Sequence, residues 1–148
     1  MGEYYIVRGA RIYCTHGTHI RRLDMPKAHG SYIRERAMMH EKDCRVGLDQ
    51  NIPTFGACHS ETNENEKIVI SSASADELMP VDISSDGSWV LPELPLTGKK
   101  CTPALCPQWE GTHDETLVDG LPALKVTSYI SCTLGGTINF LDSGQGID

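Results

Sequence analysis

The apolar positions of this chain come in short alternating groups, closed every few residues by glycine or proline. That pattern predicts short strands and turns rather than long helices. Tyr4 to Val7 is a β-prone run punctuated by Gly9 and Ala10, after which Ile12 and Cys14 share one face by period-two alternation. Thr15-His16-Gly17-Thr18 predicts a turn, and residues 20–25 a further strand ended by Pro26 and Gly30. Over 31–44 the apolar residues Tyr32, Ile33, Ala37, Met38 and Met39 stand among charges, and the pattern fits a strand pair or one helical turn. Asn51 to Cys58 is a turn-rich approach to a cysteine.

Residues 60–66 read as a solvated acidic loop and Ile68-Val69-Ile70 as a strand. Residues 72–99, which include Trp89, read as an excursion from the core with one or two hairpins. Gly111 to Glu115 reads as a polar loop, followed by a strand at Thr116 to Val118. Asp119-Gly120 is then a hairpin signal, and Leu121 to Leu124 the returning strand. Short strands around Tyr129 to Cys132 and Ile138 to Phe140 flank Gly135-Gly136, and Asp142 to Asp148 reads as a frayed tail. The expected organisation is one mostly β domain over 1–148, with a core at about 4–141, a variable excursion at 60–99 and a tail at 142–148. One internal echo stands out: Ile12-Tyr13-Cys14-Thr15-His16-Gly17 and Ile130-Ser131-Cys132-Thr133-Leu134-Gly135 agree at four of six positions. Each is a strand that delivers a cysteine into a glycine turn.

Composition narrows the function. The 148 residues carry a net charge of −7, which disfavours a nucleic-acid binder, because a phosphate backbone calls for a basic face. The N-terminus lacks the basic and apolar regions of a secretory signal, and no apolar run approaches the roughly 20 residues of a membrane span. Six cysteines without such a signal point to metal ligands or catalytic groups rather than disulfides. The plainer alternative for any one of them is a small buried hydrophobe.

Zinc takes four tetrahedral ligands, usually thiolates or imidazoles, and these serve best from strand ends and tight turns. Cys14, Cys58, Cys101 and Cys132 all have such settings. They are dispersed along the chain, so one ion would staple four remote segments of a thin core. Cys44 lies in a charged stretch, and Cys106 competes with Cys101. His16, His19 and His59 lie near candidate cysteines and can replace one as ligand, although an isolated His beside a turn is more often solvent-exposed. Catalytic patterns are weak. Cys58 and His59 are adjacent, so their side chains diverge, and no nucleophile elbow, Walker loop, dinucleotide fingerprint or HExxH motif is present.

In order along the chain stand Val7-Arg8-Gly9-Ala10 with Cys14, Asn51-Ile52 with Phe55-Gly56-Ala57-Cys58, and Gly98-Lys99-Lys100-Cys101-Thr102-Pro103 with Trp109. Asp119-Gly120-Leu121-Pro122-Ala123-Leu124 and Ser128 to Cys132 with Gly135-Gly136 complete the series. This set resembles the PAAR-like proteins over roughly residues 5–140. The resemblance implies a small compact cone of short strands and turns, stapled by zinc. It implies a structural, non-enzymatic tip on the trimeric VgrG-type β-helical spike of a type VI secretion system or related contractile injection machine. One copy would sit on a three-fold partner, and effector proteins are further expected partners. The protein would wait in the bacterial cytoplasm and leave when the machine fires, as a bare tip rather than a fused toxin. The resemblance carries the metal site onto Cys14, Cys58, Cys101 and Cys132, with Cys106, His16 and His59 as substitutes. Leu117, Val118, Leu121, Leu124, Val126, Ile138 and Phe140 are the apolar residues from which an exposed base is expected. A cysteine-dependent hydrolase or toxin and a free-standing effector adaptor are the competing readings.

Overall fold

A computed structural model describes residues 5–24, 28–33, 36–46, 50–52, 55–73, 77–80, 82–101, 105, 107–132 and 135–144. Among them the regular elements are thirteen strands of two to six residues, with no α-helix. The fold is mostly β, as the glycine and proline punctuation predicts. No helix among the described residues is long and apolar enough to cross a membrane.

The largest sheet has four strands in the order β12-β13-β1-β2, formed by β1 (Arg11–Cys14), β2 (Ile20–Arg22), β12 (Tyr129–Ser131) and β13 (Thr137–Phe140). Cys14 and Ile130 both pair with Ile138, from opposite sides of β13. The two strands that flank it, β1 and β12, run antiparallel to β13 and therefore parallel to each other. The echoed segments thus deliver Cys14 and Cys132 to the same end of the sheet. The alternation that placed Ile12 and Cys14 on one face holds, since both are buried while Arg11 and Tyr13 are half-exposed.

A three-stranded sheet of order β5-β9-β6 joins β5 (Ala57–Cys58), β6 (Lys67–Ile70) and β9 (Leu96–Lys100). Three hairpins complete the fold: β3 (Tyr32–Ile33) with β4 (Arg36–Ala37), β7 (Asp82–Ile83) with β8 (Trp89–Val90), and β10 (His113–Val118) with β11 (Leu121–Ala123). Residues 31–44 therefore contain a strand pair. The 72–99 stretch contains its hairpin, but it also contributes β9, which brings the chain back to Cys101. The strand ending at Val118 starts at His113, earlier than the polar residues suggested, and its turn holds Asp119 at φ 49° and Gly120 at φ 83°.

Ile6, Ile12, Phe55, Trp109, Leu124 and Ile138 centre a continuous core that includes Cys14, Cys58 and Cys101. Trp109 stacks on Phe140 with ring centroids 4.8 Å apart, and its indole N–H donates to the Asp43 carbonyl at 2.8 Å.

The seven apolar residues expected to supply an exposed base divide, and two other expectations need correction. Val118, Leu124, Ile138 and Phe140 are buried in the core, and Leu117 alone of the seven apolar residues is exposed, at 57%. The C-terminal strands spend their apolar side chains on a core too small to spare them. The tail is docked through Gly144 rather than frayed from Asp142. Asp142 accepts the Arg11 backbone N–H at 2.9 Å and its guanidinium at 2.6 Å, and the Ser143 carbonyl accepts the Val7 N–H at 3.0 Å. The 60–66 loop is not wholly solvated: Asn63 is buried, and its amide donates to the Lys100 carbonyl at 3.2 Å.

Candidate metal centres

Each proposed cysteine ligand stands where a strand stops. Cys14 ends β1, Cys58 ends β5, Cys101 directly follows β9, and Cys132 directly follows β12. The two sheets are stitched at this point. Gly17 bridges Cys58, and the His59 N–H donates to the His16 carbonyl at 2.8 Å. On the other side Leu105 bridges Cys132. All four cysteines are buried and none is in a disulfide.

The thiols share one electrostatic neighbourhood. Burial pushes the Cys14 thiol above its ordinary pKa, and proximity to Cys132 and Cys58 adds to the rise. Burial likewise pushes Cys101 up to about 11, with Cys58, Cys14 and Cys132 as the charges that would repel its thiolate. Backbone amides point the other way: His16 and Gly17 toward the Cys14 sulphur, Phe55 toward Cys101 Sγ at 3.3 Å, Ser60 toward Cys58 Sγ at 3.5 Å. Such N–H groups stabilise a thiolate, whereas crowding by other thiols opposes it. A cation at the meeting point reverses the crowding, because it removes the repulsion and favours deprotonation of every ligand at once. The donor set is of the soft thiolate type that zinc takes.

The packing leaves no slack around Cys14. A Cβ on Gly136 would lie 2.8 Å from its sulphur, and one on Gly17 would lie 2.7 Å from the Phe55 Cβ. These glycines let the turns approach the cysteines, a role that their Gly-rich context in the sequence hinted at. Thr18 and Asn63 also position this end of the molecule. The Thr18 hydroxyl accepts the Ala57 N–H at 2.9 Å and holds β5 against the turn after β1, while Asn63 ties the loop after Cys58 to the carbonyl preceding Cys101. No sequence signal distinguishes either from an ordinary polar loop residue.

The substitutes fare differently. His16 is half-buried beside Gly136, which keeps it at the cysteine end of the molecule. The exposed His59 donates from Nε2 to the Thr97 carbonyl at 3.0 Å. Cys44 is half-buried and directs its thiol to the Pro107 carbonyl at 3.6 Å, apart from the four. Cys106 lies outside the described residues. Cys14 and His59 both line an open cleft of about 380 Å³ with Tyr13, Thr18 and Leu96. A nucleophilic cysteine there would call for a lowered pKa, the opposite of what burial does to Cys14.

A second convergence was not anticipated. Among the described residues, His29, His40 and Asp43 are the one trio whose ligating atoms all lie within 4.8 Å of one another, and they could hold a metal ion. No three of the cysteine sulphurs meet that distance, and a shared tetrahedral zinc, with sulphurs about 3.8 Å apart, would draw them inward. Burial holds His40 below its ordinary pKa, against the opposing pull of Asp43.

Fold and sites together define a small, mostly β domain with buried cysteines at its strand ends and a separate histidine and carboxylate corner. The chain belongs to the family described as "Domain of unknown function (DUF4280)", which matches residues 6–145. No curated protein and no solved structure matches it.

Proposed function

We propose that this chain is the structural, non-enzymatic tip of a bacterial contractile injection machine, a PAAR-like cap on a trimeric β-helical spike, stapled by one zinc ion. The observation that carries this reading is the convergence of Cys14, Cys58, Cys101 and Cys132 from four strand ends spread along the chain. A tip has little interior, and a metal that ties remote segments supplies stability that such a core lacks. The ordered resemblance to PAAR-like proteins supplies the partner, and effectors are further candidates for binding. Zinc when bound would neutralise the four thiolates; the backbone amides of His16, Gly17, Phe55 and Ser60 would keep the sulphurs deprotonated.

The direct test is co-expression with a trimeric spike protein encoded beside this chain, followed by size exclusion and mass measurement. One copy per spike trimer is the expected result. A chain that stays free at micromolar concentration, beside a folded trimeric spike, would overturn the tip reading. Elemental analysis of protein purified without chelator is expected to find about one zinc released by Cys101→Ser.

A further inference from the structure

His29, His40 and Asp43 arrive at one place from a single short stretch of chain, and the contacts around them are directional. His40 and Asp43 form a closed turn. The His40 carbonyl accepts the Asp43 N–H at 3.0 Å, and the Asp43 carboxylate accepts the His40 N–H at 2.8 Å through Oδ2. Trp109 locks the turn from the core side, since its indole N–H donates to the Asp43 carbonyl and its backbone N–H to the Glu41 carbonyl at 2.9 Å. The Asp43 carboxylate is thus fixed in direction, although its side chain is only 9% exposed.

His29 meets that carboxylate with one ring nitrogen and turns the other outward. Its Nε2 lies 3.0 Å from both Asp43 oxygens, and its Nδ1 lies 3.7 Å from Asp119 Oδ2 on the β10–β11 turn. His40 stacks on His29 at a centroid distance of 4.0 Å and presents Nδ1 to Asp43 Oδ2 at 3.7 Å. That same Nδ1 accepts the Lys42 N–H at 3.1 Å, so it carries no proton, and a metal would have to take over the lone pair that this N–H now engages. Neighbouring ligands around an ion with bonds of about 2.1 Å stand roughly 3.0–3.4 Å apart. The 3.0 Å His29–Asp43 spacing matches, the 3.7 Å His40–Asp43 spacing is a few tenths longer, and all three donor atoms lie within 4.8 Å of one another; metal binding also requires the two rings, stacked at 23°, to turn toward a common point.

We propose that His29 Nε2, His40 Nδ1 and an Asp43 oxygen form a second metal site, for a divalent first-row ion such as zinc, nickel or cobalt, with Asp119 as the outer carboxylate that orients His29. Two imidazoles and one carboxylate suit these borderline cations and leave coordination positions for water or a partner's side chain. Asp119 on the far nitrogen follows the carboxylate–histidine–metal order that fixes the ring and raises its basicity. This site does not depend on the cysteine reading: its donors contain no sulphur and lie on different elements. The rival account is a cluster in which a proton alone joins His29 to Asp43.

The test is a titration of the full-length protein with zinc, read by long-range proton–nitrogen NMR of the histidine rings, with a parallel cobalt titration read by absorption. The expected result is that His29 Nε2 and His40 Nδ1 shift together and saturate at micromolar metal. Cobalt at this site gives visible bands without sulphur-to-cobalt charge transfer, which belongs to the cysteines alone, so failure at one site is distinguishable from failure at the other. His29→Ala is expected to weaken this binding at least 100-fold, and Asp119→Asn, on an exposed turn, about 10-fold. Histidine resonances that stay in place at millimolar zinc would overturn the proposal, as would binding that neither substitution weakens. Should His29→Ala fail to fold, the wild-type ring shifts and the Asp119→Asn affinity decide the question without it.

Discussion

The two convergences of donor side chains are assembled in opposite ways. Cys14, Cys58, Cys101 and Cys132 come from the ends of four strands in two sheets, so they meet only when most of the chain has folded. His29, His40 and Asp43 come from one segment closed by a local turn and a short hairpin. A staple across long loops restrains the unfolded chain far more than a clasp within a short one. Metal at the cysteines should therefore act on global stability, and metal at the histidines mainly on local order.

The sharpest way to break this contrast is to damage each cluster in turn. Removing metal from the cysteine end, by chelation or by Cys101→Ser, is expected to cost on the order of 10 kcal/mol, enough to unfold a domain of this size. His29→Ala, whose side chain is 18% exposed, is expected to cost about 1–2 kcal/mol. Urea unfolding followed by fluorescence measures both, and equal losses would erase the distinction.

A smaller effect tests whether the cysteine end is as tightly packed as its geometry indicates. Gly136→Ala places a Cβ 2.8 Å from the Cys14 sulphur. The expected cost is about 1–3 kcal/mol from overpacking, with weakened metal retention. Metal content and unfolding midpoint unchanged from wild type would mean that the turn yields freely and that close approach is not what the glycine provides.

The smallest expected effect concerns pH. His19 lies on the cysteine side, where its Nδ1 is 2.8 Å from the Thr18 hydroxyl that also receives the Ala57 N–H. Burial holds its pKa below the ordinary 6.5, and the Arg21 charge adds to this. The unfolded chain therefore takes up a proton first as the pH falls. The stabilising contribution is complete above 6.5 and is lost as the pH drops through the depressed folded value. Below pH 6.5, stability is expected to decline by up to about 1.4 kcal/mol per unit from this residue, and His19→Gln should remove that part of the slope. A wild-type profile with the same slope as the variant would show that His19 is not held neutral.

Strand content was readable because it rests on local chemistry. Alternation around Ile12 and Cys14, the Asp119-Gly120 turn and the glycines beside Cys132 each act within a few residues, and each produces the element expected of it. The cysteine candidates were readable for the same reason, as cysteines at strand ends. The trio at His29, His40 and Asp43 was not. Its members show no metal-ligand spacing along the chain, and it depends on His29 folding back over the turn that Trp109 locks. Which of the C-terminal apolar residues stays exposed could not be read from the sequence, because burial is decided by what packs opposite. Leu124 and Ile138 look the same in sequence as Leu117, yet only Leu117 finds no core to enter.

The sequence by itself determined a mostly β chain, its turns, and the residue types able to bind a soft metal, because φ preference, alternation and donor chemistry belong to individual residues and their neighbours. Only the tertiary structure decided that β1 and β12 flank the same strand and so point Cys14 and Cys132 to one end. Strand pairing is a contact between remote segments, and its partner and register follow from the collective burial of both faces, which no local window contains.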